Sequence, residues 1–243
     1  MKVTVCGYWG GFPAANEATS GYLFEHDDYR LLVDCGSGVL AQLQNYISVD
    51  QLDALIVTHY HHDHVADIGP MQYARLVTSN IHNLDKVLPI YGHTDDQEGF
   101  SKLEHKGYTK SIPYNPEEEI KIGPFSIGFL KTNHPVVCYA LRIKAGNQTV
   151  VFSADSSYMD EFIPFTSGAD LFICECNLYA NQDGSKMGHM TSTEAGKIAT
   201  SAGVNELWLT HLPHFGSHQD LIEQAKQEYS GEIKLAKLGL IWE

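Results

Sequence analysis

The sequence predicts one α+β domain over residues 1–243, with β-sheets sandwiched between helices. Three observations predict this class. Short apolar runs rich in β-branched and aromatic residues recur along the chain, and tight turns separate some of them, as in hairpins. Other apolar runs alternate with stretches of helical periodicity, as in βα units. Neither a Pro/Ser-rich linker nor a repeat of about 20 to 50 residues divides the chain.

The N-terminal half begins with a predicted hairpin and leads to a histidine-rich segment at the end of a strand. His26, Asp27 and Asp28 form the predicted hairpin turn. The run 54–58 is almost wholly apolar, which is typical of a strand buried on both faces. The predicted strands of this half cover 2–5, 21–25, 29–34, 54–58 and 87–92, and the predicted helices cover 39–47 and 71–80.

The C-terminal half alternates strands and helices after a polar segment at 92–120. That segment contains the acidic run 117–119, which predicts a solvated surface. A turn at 146–147 joins two strands, and Ser217 and Asp220 predict a capping box at the last helix. The predicted strands cover 125–132, 138–145, 149–155, 170–176, 206–211 and 235–243, and the predicted helices cover 159–165, 192–202 and 218–229.

The composition limits the partners and the location. Acidic residues outnumber basic ones 30 to 16, and the net charge of −14 opposes extended contact with a nucleic-acid backbone. The N-terminal segment lacks a long apolar core, and no run approaches the ~18 apolar residues that a membrane span needs, so we expect a cytoplasmic protein. Five cysteines without a C-x-x-C pair predict reduced, buried thiols, with Cys174 and Cys176 in the core rather than on a metal.

The segment THYHHDH holds four histidines and an aspartate, whereas one zinc ion takes about four ligands. Because side chains alternate at a strand end, His59 and His61 can bind one ion while His62 points away. Asp63 and His64 lie where the chain turns into a helix, and they can reach a second, adjacent ion. The alternative is a histidine-rich surface loop that binds no metal.

Further ligands are expected at the ends of other strands. His134, Asp155 and His211 each follow an apolar β-run. Residues in such positions can converge on one edge of a sheet. Taken singly, each is more often a turn or core residue than a ligand, but together with the histidine-rich segment they predict a metal site.

The order T-H-x-H-x-D-H, His, Asp, His resembles the metallo-β-lactamase superfamily over nearly the whole chain. This resemblance implies an αββα sandwich of two mixed β-sheets flanked by helices, with a two-metal site along one edge of the sheets. Three further segments resemble the ribonuclease Z (ELAC-type) branch. GYWGGFPAANEATSGYLFE is similar to its glycine-rich first loop, LFICECN to its His-Glu-Ala-Thr box, and GHMTSTEAGKIA to its His-Ser/Thr helix start.

The resemblance implies two divalent ions and assigns their ligands. His59, His61 and His134 would bind one ion, Asp63, His64 and His211 would bind the other, and Asp155 would bridge both. Zinc is the metal implied. Manganese is the alternative, because mixed nitrogen and oxygen ligands do not select sharply between divalent ions.

The expected reaction is hydrolysis. Two ions that share a carboxylate can also share a water and lower its pKa toward neutrality, so that a bridging hydroxide is the nucleophile. Asp63 would orient that water or act as its base. His189, just before a predicted capping box of Thr191 and Glu194, is the candidate proton donor, although it is alternatively an ordinary loop histidine. The resemblance implies that Glu175 orients His189.

Two departures from the ribonuclease Z pattern bear on the substrate. Cys174 and Asn177 stand where the His and Thr of the box are expected. That family also carries a long basic arm, which grips tRNA, between its third metal histidine and its aspartate. Here His134 and Asp155 are 21 positions apart, and a plain hairpin fills the interval. We therefore expect a small or short-chain phosphodiester substrate, with extended nucleic acid disfavoured but still open.

The most favoured function is a dinuclear, metal-dependent phosphodiesterase. The same hydroxide would attack a carbonyl, so an ester, thioester or lactone hydrolase is the alternative within enzymes. A tRNA 3′-processing endoribonuclease or a non-catalytic scaffold would also be compatible with the sequence. The sequence leaves open the physiological substrate, the native metal and whether the chain forms a homodimer.

Overall fold

The structure is a computed structural model that describes residues 1–82 and 86–243, and the chain forms two compact units. The first unit comprises Met1–Asn115, Ile122–Pro124 and Lys237–Glu243, and the second comprises Pro116–Lys121 and Phe125–Ala236. The expectation that residues 1–243 make up one domain stays a prediction.

The first unit is built on one mixed sheet. Its strands are β1 (Lys2–Gly7), β2 (Gly21–His26), β3 (Tyr29–Val33), β4 (Ala54–Ile56), β5 (Leu88–Gly92), β6 (Thr109–Pro113) and β14 (Ile241–Trp242). They lie in the order β14-β1-β2-β3-β4-β5-β6. The pairs from β3 to β6 are parallel, so that the carboxyl ends of β3 and β4 lie at one edge of the sheet.

Helices pack on this sheet through a buried apolar cluster. They are α1 (Val39–Leu43), α2 (His62–Val65), α3 (Ile68–His82) and α4 (Gln97–Ser101), with a 3₁₀ turn at Val49–Gln51. Val39 and Leu43 of α1 are buried in the same core cluster as Leu32 and Leu55 of the sheet. This burial fixes the end of β4, from which the histidine-rich segment departs.

The second unit is built on a second mixed sheet. Its strands are β7 (Ile120–Ile122), β8 (Phe125–Lys131), β9 (Tyr139–Ala145), β10 (Gln148–Phe152), β11 (Leu171–Glu175), β12 (Glu206–Thr210) and β13 (Glu232–Leu235), in the order β13-β12-β11-β10-β9-β8-β7. Its helices are α5 (Phe162–Thr166), α6 (Ser192–Ala202) and α7 (His218–Ala225). Helix α6 packs on β11 and β12, where Trp208 is fully buried. Two mixed sheets flanked by helices confirm the predicted α+β fold class.

The predicted hairpins and most predicted elements are confirmed. Asp27 and Asp28 both have positive φ values, 47° and 62°, as a two-residue hairpin turn requires. The prediction of one strand over 235–243 was wrong, because Gly239 has φ 73° in a turn that separates β13 from β14. Strand β6 was missed since it is an edge strand with polar side chains that ends on a proline, and such strands carry little apolar signal.

The two predicted capping boxes had different outcomes. At α6 the Thr191 side chain accepts the Glu194 amide N–H, and the Glu194 carboxylate accepts the Thr191 amide N–H at 2.8 Å. At α7 the prediction was wrong: within the described residues, the Ser217 side chain accepts no capping hydrogen bond. Ser217 is thus at the N-cap position of α7 without the bond that stabilises a helix start.

We expect Thr191→Ala to lower the free energy of unfolding by about 1 kcal/mol, the usual value of a capping side chain. Ser217→Ala is the matched control, and it should change that free energy by no more than about 0.5 kcal/mol. Urea unfolding of both variants measures the difference. Equal losses would show that the Thr191 cap does not stabilise α6.

None of the helices in the described part of the chain has the length and apolar character that a bilayer crossing requires.

Candidate metal centre

The histidine-rich segment follows β4 in the first unit. His59 is fully buried, and its Nε2 lies 3.2 Å from Nδ1 of His61. The rings of His59 and His64 are 4.1 Å apart between centroids, and Nε2 of His64 lies 3.8 Å from Oδ2 of Asp63. His62, the first residue of α2, is exposed instead. These side chains of the first unit therefore lie close together, and His62 is outside the cluster.

A buried aspartate that sequence reasoning missed supports this cluster. Asp34 follows β3, has φ 58° and is fully buried. Its carboxylate accepts the amide N–H of Thr58 at 2.9 Å and the Oγ–H of Ser20 at 3.0 Å. It also accepts the Nδ1–H of His64 at 2.6 Å. Since the proton sits on Nδ1, Nε2 of His64 carries the lone pair that a metal needs. The sequence did contain a signal for Asp34, because it is a carboxylate at the end of an apolar strand.

In the second unit, the three predicted strand-end residues come together. Oδ2 of Asp155, which follows β10, lies 3.9 Å from Nε2 of His134 and 3.3 Å from Nε2 of His211. The Nδ1–H of His134 donates to the carbonyl oxygen of Gly188 at 3.0 Å. The side-chain amide of Asn177 donates to the carbonyl oxygen of His211 at 2.9 Å. Backbone contacts thus hold both histidines with Nε2 directed at one carboxylate.

The chemistry of these groups fits a bound cation. The carbonyl of Gly188 can only accept, so Nδ1 of His134 carries the proton and Nε2 of the neutral ring presents a lone pair to Asp155. Burial lowers the pKa of His134 and favours that neutral form, against the opposing charge of Asp155. Two electron-rich atoms that face each other repel, and a cation between them removes the repulsion. Imidazole nitrogens with a shared carboxylate suit zinc or manganese.

Glu175 and His189 form a pair beside these residues. Glu175 ends β11 and is fully buried. Its carboxylate accepts the Nδ1–H of His189 at 2.9 Å and the amide N–H groups of Ser156 at 3.0 Å and Met190 at 3.1 Å. The ring of His189 stacks on that of His211 at 5.1 Å. The predicted contact between Glu175 and His189 is therefore present.

The two departures from the ribonuclease Z box leave this pair intact. Cys174 is fully buried on β11, in keeping with the predicted core role. Asn177 donates its backbone N–H to Glu175 at 3.3 Å and contacts the backbone of His211 through its side chain. The asparagine therefore connects the carboxylate to one of the histidines that approach Asp155.

The interval between His134 and Asp155 is a plain hairpin. Strand β9 pairs antiparallel with β10 from Tyr139 to Ala145, and the turn follows directly. The chain has no additional element between these two strands. The ribonuclease Z pattern has a basic arm at this position. The chain has the turn of a two-stranded hairpin there.

The fold and the site define a family. A model described as the beta-lactamase superfamily domain matches residues 29–212. The chain belongs to this superfamily and is a metallo-hydrolase, as predicted.

Its relatives agree with this assignment. The chain is 59% identical to the probable metallo-hydrolase YhfI of Bacillus subtilis, and the alignment covers 100% of both sequences. The crystal structure of YhfI covers 99% of this chain and 98% of its own, with a TM-score of 0.98. The ribonuclease Z of Haloferax volcanii is 24% identical over 98% of this chain and 93% of its own length. A diphosphatase from the PhnP family, 17% identical, shares the fold with a TM-score of 0.78, covering 100% of this chain and 97% of its own.

Proposed function

We propose that the chain is a dinuclear metal-dependent phosphodiesterase that acts on a small or short-chain phosphodiester. His59, His61 and His134 would hold one ion, Asp63, His64 and His211 would hold the other, and Asp155 would contribute to both. The ligand order and the superfamily support this assignment. The orientation of Nε2 of His64 and His134, each with its Nδ1 held by an acceptor, supports it independently. Zinc is the proposed metal, with manganese as the alternative.

Bound divalent ions would supply Lewis acidity and a water that ionises near neutral pH. The chain itself would supply orientation and a proton. Asp63 would orient the attacking water, and His189 would donate a proton from Nε2 to the leaving oxygen. Glu175 accepts from Nδ1 of His189 and so fixes which nitrogen faces the substrate. Helix α6 begins just after His189, and the positive end of its dipole favours an anionic group nearby.

The observation that carries the proposal is the Glu175–His189 pair next to His211. A buried carboxylate that orients a partly exposed histidine is the arrangement that general acid catalysis requires. An alkoxide leaving group needs that proton, as in phosphodiester cleavage. The ribonuclease Z and the diphosphatase among the relatives are both named for cleavage at phosphorus, which also supports a phosphoryl substrate.

The size of the substrate follows from charge and from the hairpin. The chain has a net charge of −14, and β9 and β10 leave no basic arm between His134 and Asp155. A long polyanion would gain little electrostatic attraction from such a chain. A small phosphodiester, which is held at the ions and by His189, does not need that attraction.

Hydrolysis of a bis-aryl phosphodiester by the zinc- or manganese-loaded protein tests this function. We expect turnover that chelation abolishes and that the same ion restores. We also expect little 3′ cleavage of precursor tRNA under the same conditions. Efficient cleavage of that RNA would contradict the small-substrate proposal and favour a tRNA-processing enzyme, whereas no turnover of any substrate would favour a scaffold.

The two neighbouring histidines of the motif should differ in their effect on metal binding. We expect His61→Ala to weaken binding of one ion by at least about a hundredfold, because it removes a ligand. His62→Ala should keep both ions, since His62 is exposed and outside the cluster. Metal content after dialysis measures both. Loss of an ion from the His62 variant would contradict the ligand assignment.

A cytoplasmic location stays a prediction, which five free and buried cysteines support. Formation of a homodimer also stays open.

A further inference from the structure

The first loop, residues 8–19 between β1 and β2, reaches a proposed metal ligand through one backbone group. The amide N–H of Gly11 donates to Oδ2 of Asp63 at 2.8 Å. Gly11 has φ 72°, whereas a Cβ at this position would meet no atom within 4 Å. Glycine is therefore needed here for its backbone conformation and not for space. This hydrogen bond restricts rotation of the Asp63 carboxylate.

Glu17 holds the segment that leads to Gly11. Its carboxylate accepts the Oη–H of Tyr8 at 2.8 Å on Oε1 and the Nε1–H of Trp9 on Oε2. The two aromatic rings stack at 5.2 Å. The amide N–H groups of both aromatic residues also donate to the carbonyl oxygen of Ala18, at 3.0 and 3.2 Å. Glu17 therefore ties both ends of the first loop together, and the Trp9 that it holds lies two residues before Gly11.

The contacts of Glu17 also define its chemistry. An indole N–H can only donate, so an acceptor must face Trp9. Burial, together with the hydrogen bond to Glu17, raises the pKa of Tyr8, and the phenol remains a donor. A carboxylate satisfies two donors at once. An apolar residue at this position would remove both of these hydrogen bonds.

We propose that Glu17 is a positioning residue for the metal centre: by holding Tyr8 and Trp9 it aims the Gly11 amide at Asp63. The inference rests on the proposed role of Asp63 as a metal ligand. Groups that orient metal ligands contribute to metal affinity without touching the ion. Glu17 acts one step further out, through the backbone of the first loop.

Metal affinity, measured by competition with a chromogenic zinc chelator, tests this role without relying on turnover. We expect Glu17→Ala to lower the affinity for one of two zinc ions by about tenfold, the lower end of the range for orienting groups. Glu17→Gln should restore most of that affinity, because its amide oxygen accepts from Trp9 and its amide nitrogen donates to Oη of Tyr8. Tyr8→Phe removes one hydroxyl only, and it should lower the affinity for the same ion by about threefold.

A matched control lies in the second unit. Glu206 accepts the Nε1–H of Trp208 at 2.6 Å, as Glu17 does that of Trp9, and it also pairs with Lys234. Glu206→Ala should leave the affinity for both ions unchanged. Thermal unfolding of the metal-free variants separates a loss of folding from a loss of positioning.

The outcomes separate this role from the proposed function. If wild-type protein binds two ions and both Glu17→Ala and Tyr8→Phe bind them as tightly, the positioning role of Glu17 is overturned. The proposed function is not affected by that result. Equal weakening by Glu17→Gln and Glu17→Ala would also overturn the positioning role, as would weakening by Glu206→Ala. Wild-type protein that binds no second ion would overturn the dinuclear centre itself, and the positioning role with it. If Glu17→Ala does not fold, Glu17→Gln and Tyr8→Phe decide the matter.

Discussion

Replacement of His64 by alanine is expected to remove one of two bound ions and to lower kcat/KM for a phosphodiester by at least about a hundredfold. His64 is fully buried, and its Nδ1 is committed to Asp34, so its Nε2 is the nitrogen available to an ion. Alanine offers no ligand. We expect that the other proposed ligands of that ion, Asp63, His211 and Asp155, do not retain it at ordinary metal concentrations.

Metal content per chain, measured by mass spectrometry after dialysis, should fall from about two ions to about one. Asp34→Asn should give a smaller effect of about ten- to a hundredfold in affinity, because the histidine keeps its place but loses its charged acceptor. His82→Ala, an exposed histidine at the end of α3, is the control and should behave as wild type. Full metal content in the His64 variant would contradict the assignment of this residue.

Replacement of His189 by alanine is expected to lower kcat by about 10²- to 10⁴-fold while both ions stay bound. The side chain is 19% exposed and is oriented by buried Glu175, as a group that must meet substrate requires. The loss should depend on the leaving group. A p-nitrophenolate leaves without a proton, so kcat for its phosphodiester should fall least. The kcat for an alkyl phosphodiester should fall most.

The slope of log kcat against leaving-group pKa measures this directly, and it should become steeper in His189→Ala. An unchanged slope would contradict the role of His189 as the proton donor. Glu175→Gln would not separate an effect on catalysis from an effect on folding. Its amide nitrogen would face either the backbone N–H of Ser156 or those of Asn177 and Met190, so part of any loss would reflect folding.

The positions of the candidate ligands were predictable because of a geometric rule. Polar residues such as His134, Asp155 and His211 come directly after apolar runs, and the alternation of side chains predicts that His62 points away from His61. Helix α6 was predicted with its observed bounds, since a capping box and helical periodicity coincide there. These signals lie within a few positions of each other in the sequence.

The groups that hold the ligands were not predictable from the sequence. Asp34 contacts His64 across 30 positions, and Gly11 contacts Asp63 across 52, so that no local pattern connects them. The acceptor of the His134 ring is a backbone carbonyl, which the sequence does not mark. Strand β6 was missed for a related reason, because its pairing with β5 and not its composition makes it a strand.

The most direct test of the central claim compares kcat/KM of one zinc-loaded preparation on a bis-aryl phosphodiester, a lactone and a thioester. A dinuclear phosphodiesterase site predicts the highest value for the phosphodiester, and loss of that activity in His64→Ala. A higher value for the lactone or the thioester would contradict it and would make the chain a carbonyl hydrolase.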